Sequence, residues 1–82
     1  MRFTVTWHPL AEQELADIWM RADDRNHVSA AANLFDRMLV SDPQQQGEEF
    51  YGERLLVALP LAVTYSVNEP DRTVQILQVW HE

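Results

Sequence analysis

The sequence predicts an α+β fold in the order β-α-α-β-β-β, a helical hairpin packed on one face of a small, mainly antiparallel sheet. Three observations predict it. Phe3, Val5 and Trp7 alternate with Thr4, Thr6 and His8 at the period of a half-buried strand. Two apolar stripes at helical spacing follow, separated by a short polar run. The remainder reads as three β-like segments separated by turn residues.

Pro9 ends the first strand and suits the first position of a helix. From there Ala11, Leu15, Ile18, Trp19 and Ala22 form an apolar stripe, while Glu12, Gln13, Glu14 and Asp17 take the outer face. Acidic residues early in the helix favour the positive end of its dipole. Asp23-Asp24-Arg25-Asn26 breaks the pattern and offers an N-cap for a second helix carrying Val28, Ala31, Ala32, Phe35, Met38 and Leu39. That helix should stop near Ser41, because Pro43 disfavours helical geometry at Asp42. Two helices joined by a short polar turn read as an αα-hairpin.

The stretch from Asp42 to about Glu53 holds three glutamines, both glycines and an acidic pair, and reads as a solvated connector. Arg54 to Ala58 is the next strand. Leu61 to Asn68 follows, with Leu61, Val63, Tyr65 and Val67 on one face. Asn68-Glu69-Pro70-Asp71 is turn chemistry. Arg72 to Trp80 is apolar on both faces, with Val74 and Ile76 on one and Leu77 and Val79 on the other. Such a strand belongs inside the sheet. No repeat or internal boundary interrupts residues 1–82, which read as one domain.

Composition narrows the function classes. Thirteen acidic residues oppose six basic ones, all arginine, for a formal net charge of −7. Affinity for nucleic acid comes from Lys and Arg displacing counterions from phosphates, so this balance argues against direct nucleic-acid binding. With no cysteine, disulfides and thiolate metal sites are excluded. His8, His27 and His81 fit no metal-ligand spacing, and no cofactor motif is present, so neither metal nor cofactor is expected. The N-terminus lacks the layout of a secretory signal, and the longest apolar run, Leu55 to Val63, is interrupted by Pro60 and is too short to span a bilayer. A cytoplasmic protein with no membrane partner is expected.

Several segments together resemble the RelE/ParE toxin superfamily. They are Trp7-His8-Pro9-Leu10-Ala11 with Leu15 and Ile18, then Asp42-Pro43, then Gly47, then Gly52-Glu53-Arg54-Leu55. Leu59-Pro60-Leu61-Ala62-Val63-Thr64-Tyr65 and Val74-Gln75-Ile76-Leu77-Gln78-Val79-Trp80-His81 complete the match in order and spacing. The resemblance spans nearly the whole chain. It implies a toxin of a type II toxin–antitoxin, plasmid-stabilisation-like system, held inactive by a cognate antitoxin. One branch of that superfamily cleaves mRNA, and the ParE-like branch binds and inhibits DNA gyrase.

The ribonuclease branch carries arginines on the strand that ends in the tyrosine. Here Ala62 and Thr64 stand in those places, removing the obvious charge stabilisation for a scissile phosphate. The apolar strand, with Arg54 at the start of the preceding one, is closer to the ParE-like branch. Family members also continue past the last strand with a basic or aromatic tail, where this sequence reads His81-Glu82.

Three residues are the candidate catalytic or activity-bearing groups: Arg54, Tyr65 and His81. Each has a plainer alternative. Arg54 fits a surface pair with Glu53 or Glu49, Tyr65 lies on the apolar face of its strand, and His81 fits an exposed strand end. Imidazole titrates near neutrality and suits a general base. The expected function is therefore a ParE-like toxin acting on a protein target. A RelE-type endoribonuclease and a non-toxic relative that keeps only fold and partner binding are the alternatives.

Overall fold

The computed structural model describes residues 2–82. Strand β1 (Thr4–Trp7) leads into helix α1 (Pro9–Arg21), and α2 (Arg25–Met38) runs back beside it. Four further strands follow: β2 (Glu48–Phe50), β3 (Glu53–Ala58), β4 (Leu61–Asn68) and β5 (Thr73–His81). They form one sheet in the order β1-β5-β4-β3-β2. Only β1 and β5 are parallel, and the other pairs are antiparallel.

The helix boundaries follow local chemistry. The Nδ1 of His8 accepts the Leu10 N–H at 3.1 Å, and Pro9 occupies the first helical position. Asp24 caps α2 by accepting the His27 N–H at 3.1 Å. Five residues past the end of α2, Pro43 opens a 3-10 turn, Pro43–Gln45, with Asp42 left-handed before it.

Cross-strand partners share a face, so register decides what is buried. Leu56, Val63 and Val79 line up across β3, β4 and β5. So do Arg54, Tyr65 and Ile76, with Trp7 of β1 next to Ile76. This face meets Ala11, Val28, Ala31, Phe35 and Leu39 from the helical side, giving one continuous core. Burying a Leu, Val or Phe side chain contributes about 1.5–3 kcal/mol. Strand β5 lies inside the sheet as expected, but not with two apolar faces: the register brings Val74, Ile76 and Val79 to the same core face and leaves Thr73, Gln75 and Gln78 on the other.

The connector between α2 and β3 departs from its expected form. It holds the 3-10 turn and β2, which pairs with β3 through Glu48↔Leu55, Glu49↔Arg54 and Phe50↔Glu53. Three exposed residues reading Glu-Glu-Phe have no apolar alternation and poor β-propensity, so hydrophobic patterning gives no strand signal there. The hairpin is made by its turn. Tyr51 and Gly52 both have positive φ, 51° and 83°, the type I′ geometry of a two-residue loop. For Tyr51 that left-handed backbone costs about 1 kcal/mol.

At the other end of the sheet the edge of β5 is managed by a side chain. Strand β1 pairs only as far as Ile76, where the His8 N–H donates to the Ile76 carbonyl at 2.8 Å. Beyond that point α1 flanks β5, and Glu14 Oε1 accepts the Val79 N–H at 3.3 Å. A β-bulge at Leu77 shifts the β4–β5 register between Thr64 and Tyr65.

Candidate functional site

Two places in the molecule have the geometry of a site. The first is a groove of about 550 Å³ between the two helices. Glu12, Leu15, Ala16 and Trp19 project from one side of α1 at the i, i+3, i+4, i+7 spacing of a single helical face. From α2 come Val28, Ser29, Ala32, Asn33 and Asp36. Ala16, Ser29 and Ala32 are too small to fill the space between the helices, and Trp7 and Trp19 stand at its two ends.

Both indoles are fixed across the groove. Trp7 Nε1–H donates to Asp36 Oδ1 at 2.9 Å, and Trp19 Nε1–H donates to Ser29 Oγ at 3.1 Å. The Arg25 guanidinium lies 4.6 Å from the Trp19 ring centroid and donates to the carbonyls of Trp19 and Met20. Such cross-links hold the walls in place before any partner arrives, which lowers the ordering cost of binding. Electrostatically the groove has two ends. Glu12 and Asp36 put carboxylates at the Trp7 end, and Arg25 is the cation at the Trp19 end. Trp19, expected to point inward, is 39% exposed. The sequence signal for the groove was the run of small residues facing two tryptophans across a hairpin.

The second place is the far end of the sheet's core face, where Arg54 and Tyr65 are directly paired across β3 and β4. Arg54 does not reach solvent as a free cation. Its Nε donates to the Gln46 carbonyl at 2.9 Å and its Nη2 to the Gly47 carbonyl at 3.1 Å. The Tyr65 hydroxyl is 2.8 Å from the carbonyls of both Pro43 and Gln46, with one proton between them. The two side chains thus form a latch that holds residues 43–47 onto the sheet. Burial pushes the Tyr65 phenol above its ordinary value of 10.0, although Arg54 pulls the other way by hydrogen bonding and charge.

Tyr65 is therefore a neutral donor at physiological pH, with a consequence for stability. A raised pKa in the folded state leaves the full contribution in place below pH 10, the value of the unfolded chain. That contribution is lost as pH climbs toward the folded value. Denaturant titrations should show stability falling as pH rises above 10, with a slope of at most about 1.4 kcal/mol per pH unit. Tyr65→Phe should cost about 1–3 kcal/mol at neutral pH and remove this alkaline slope. An unchanged slope in the variant would refute the assignment to Tyr65.

His81 is not part of the latch. It pairs with Leu61, four residues along β4 from Tyr65 or about 13 Å, and is exposed. Arg54 and Tyr65 are brought together and His81 is left apart. Ala62 and Thr64 are fully buried, and the Thr64 hydroxyl donates to Gln78 Oε1 at 3.4 Å. Among the described residues no three His, Cys, Asp or Glu side chains are grouped to hold a metal ion. No helix among them is long and apolar enough to cross a membrane.

No family model matches the sequence, nor does any curated protein. Solved structures do match the fold. A chain of the toxin–antitoxin complex RelBE2 from Mycobacterium tuberculosis aligns with a TM-score of 0.79 at 17% identity, covering 100% of this chain and 93% of that one. A chain of the chromosomal ParDE toxin–antitoxin system from P. aeruginosa aligns with a TM-score of 0.68 at 18% identity, over 98% and 96%. A chain of the archaeal RelE–RelB complex from Pyrococcus horikoshii OT3 aligns with a TM-score of 0.66 at 20% identity, over 99% and 96%. The protein therefore has the α+β fold seen in RelE- and ParE-type toxin–antitoxin complexes, from its first described strand to its last.

Proposed function

We infer that this chain is the toxin-type component of a type II toxin–antitoxin pair, ParE-like in acting by binding a cytoplasmic protein target, and neutralised by a cognate antitoxin. The observation that carries the reading is the preformed groove between α1 and α2, in a fold whose solved likenesses come from toxin–antitoxin complexes. An antitoxin segment with an apolar face fits its floor. The carboxylates of Glu12 and Asp36 and the net charge of −7 call for basic residues on that segment.

The binding mode is favoured over RNA cleavage by what happens to the cations. Cleavage needs positive charge aimed at the developing charge on phosphate. Arg54 is committed to two backbone carbonyls, and Ala62 and Thr64 are buried and neutral. DNA gyrase is the target that the ParE-like resemblance suggests. The isolation of His81 also supports a second reading, a non-toxic relative that retains fold and partner binding.

Inducible expression in bacteria, with and without the neighbouring reading frame, tests the proposal. Growth arrest relieved by the neighbour is expected, with replication failing before translation. Translation arrest with cut mRNA would instead support the ribonuclease. Normal growth with soluble protein that still binds the neighbour's product would favour the non-toxic relative.

A further inference from the structure

The tip of the β2–β3 hairpin carries an unexplained expense. Tyr51 occupies the first central position of the type I′ turn, where asparagine or glycine is the residue of choice. Its ring gives nothing back to the fold, being 91% exposed, with Phe50 as its ring partner. The two rings meet edge to face, centroids 4.9 Å apart at 79°, and Phe50 is itself 37% exposed. An aromatic pair is thus held out from the protein on a two-stranded ribbon, in a backbone conformation that disfavours an aromatic residue.

The surroundings give the partner's chemistry. Glu48 and Glu49 precede the pair on β2, and Glu53 lies directly across from Phe50. Glu49 faces the other side of the ribbon with its partner Arg54, so the carboxylates on the Phe50 side are those of Glu48 and Glu53. Exposed aromatic faces among carboxylates suit guanidinium and ammonium groups, which are attracted both to the ring face and to the acids. Nucleic-acid bases also stack on such rings, but their phosphates would meet the carboxylates of Glu48 and Glu53 here.

We propose that the Phe50–Tyr51 tip is a second docking element, separate from the interhelical groove, that engages a basic protein surface rich in arginine or lysine. It goes beyond the antitoxin reading, since its residues and the groove's are disjoint, and it stands whether or not the groove binds an antitoxin.

The test uses the full-length protein, isotope-labelled for NMR, and three probes: the blocked peptide Ac-Arg-Val-Arg-Val-Arg-NH2, its glutamate counterpart, and a thymidine octanucleotide. The arginine peptide should shift resonances of residues 50–53, and the other two should not. Tyr51→Asn should raise the melting temperature by about 4–8 °C, because asparagine suits the turn. The same substitution should weaken arginine-peptide binding at least tenfold. Absence of shifts at residues 50–53, undiminished affinity in the variant, or preferential binding of the oligonucleotide would each overturn the proposal.

Discussion

On the toxin-type function proposed above, Ala16→Arg is expected to reduce affinity for the neighbouring frame's product by at least roughly 100-fold, about 2.8 kcal/mol, while leaving the fold intact. Ala16 is exposed on α1 and lines the interhelical groove. Arginine is a good helix former, so the exposed helix position tolerates it at a cost of a few tenths of a kcal/mol. Its side chain would occupy the volume that an apolar partner segment needs. Its charge would also oppose the basic residues that Glu12 and Asp36 favour. Ala30→Arg, equally exposed on α2 but outside the groove, is the matched control and should bind as the parent does. Calorimetric titration of both variants with the neighbouring frame's product decides the matter, and equal affinity for the two would remove the groove from the proposed interface.

Gly47→Ala should destabilise the protein by about 2–5 kcal/mol, combining a left-handed backbone with overpacking. Gly47 has φ +63°, and a Cβ built there would lie 2.2 Å from the Leu55 carbonyl oxygen. The obstacle is backbone in a sheet, which cannot swing aside as a side chain would. Moving Gly47 away displaces its carbonyl and that of Gln46, the two acceptors of Arg54. The substitution should therefore interact with Arg54→Ala. The double variant is expected to lose less than the sum of the singles, because a latch already undone cannot be broken twice. Urea titrations of the four proteins measure this, and strict additivity would mean that the latch and the glycine act separately. Against a total stability of about 5–15 kcal/mol for a native domain, the single change alone is expected to leave a measurable unfolded population at 37 °C.

The large features were legible because each rests on many residues with one period. Alternation over Phe3 to Trp7, two helical stripes and the apolar content of Val74 to Val79 carried the element order, and β5 does lie inside the sheet, although the bulge at Leu77 turns Val79 to the same face as Val74 and Ile76. The connector was not legible in the same way. Its strand is held by a type I′ turn and by backbone pairing to β3, and Glu48, Glu49 and Phe50 carry no periodic signal. Gly52 after an aromatic residue was the available clue.

The candidate site shows a similar divide. Tyr65 was readable as an apolar-face residue because the alternation of β4 places it there. The direction of Arg54 was not readable, since a surface pair with Glu49 or Glu53 satisfies the same sequence. What decides it is the proximity of the Gln46 and Gly47 carbonyls, created by a turn sequence that patterning assigns to solvent. The groove leaves no separate mark on the sequence, because Ala32 and Trp19 fit as core residues in any helical stripe. Only the gap left by the small side chains separates a packed hairpin from an open one.

The seating of β1 beside β5 also orders events in time. The Thr6 hydroxyl reaches the carbonyl of Val74, 68 positions further along. Closing so long a span is entropically unfavourable until the strand between them is in place, so β1 is a late arrival in folding. Every residue that lines the groove, by contrast, lies between Trp7 and Asp36. A ribosome that has polymerised the first half of the chain has already made every residue of the groove, while Arg54, Tyr65 and the central strand do not yet exist and Trp7 still lacks its seat beside Ile76. Isolated helices of 13 and 14 residues are marginal in water, and a partner laid across them would supply the missing packing. Capture by such a partner is thereby open to the nascent chain, ahead of the moment at which it has a completed sheet.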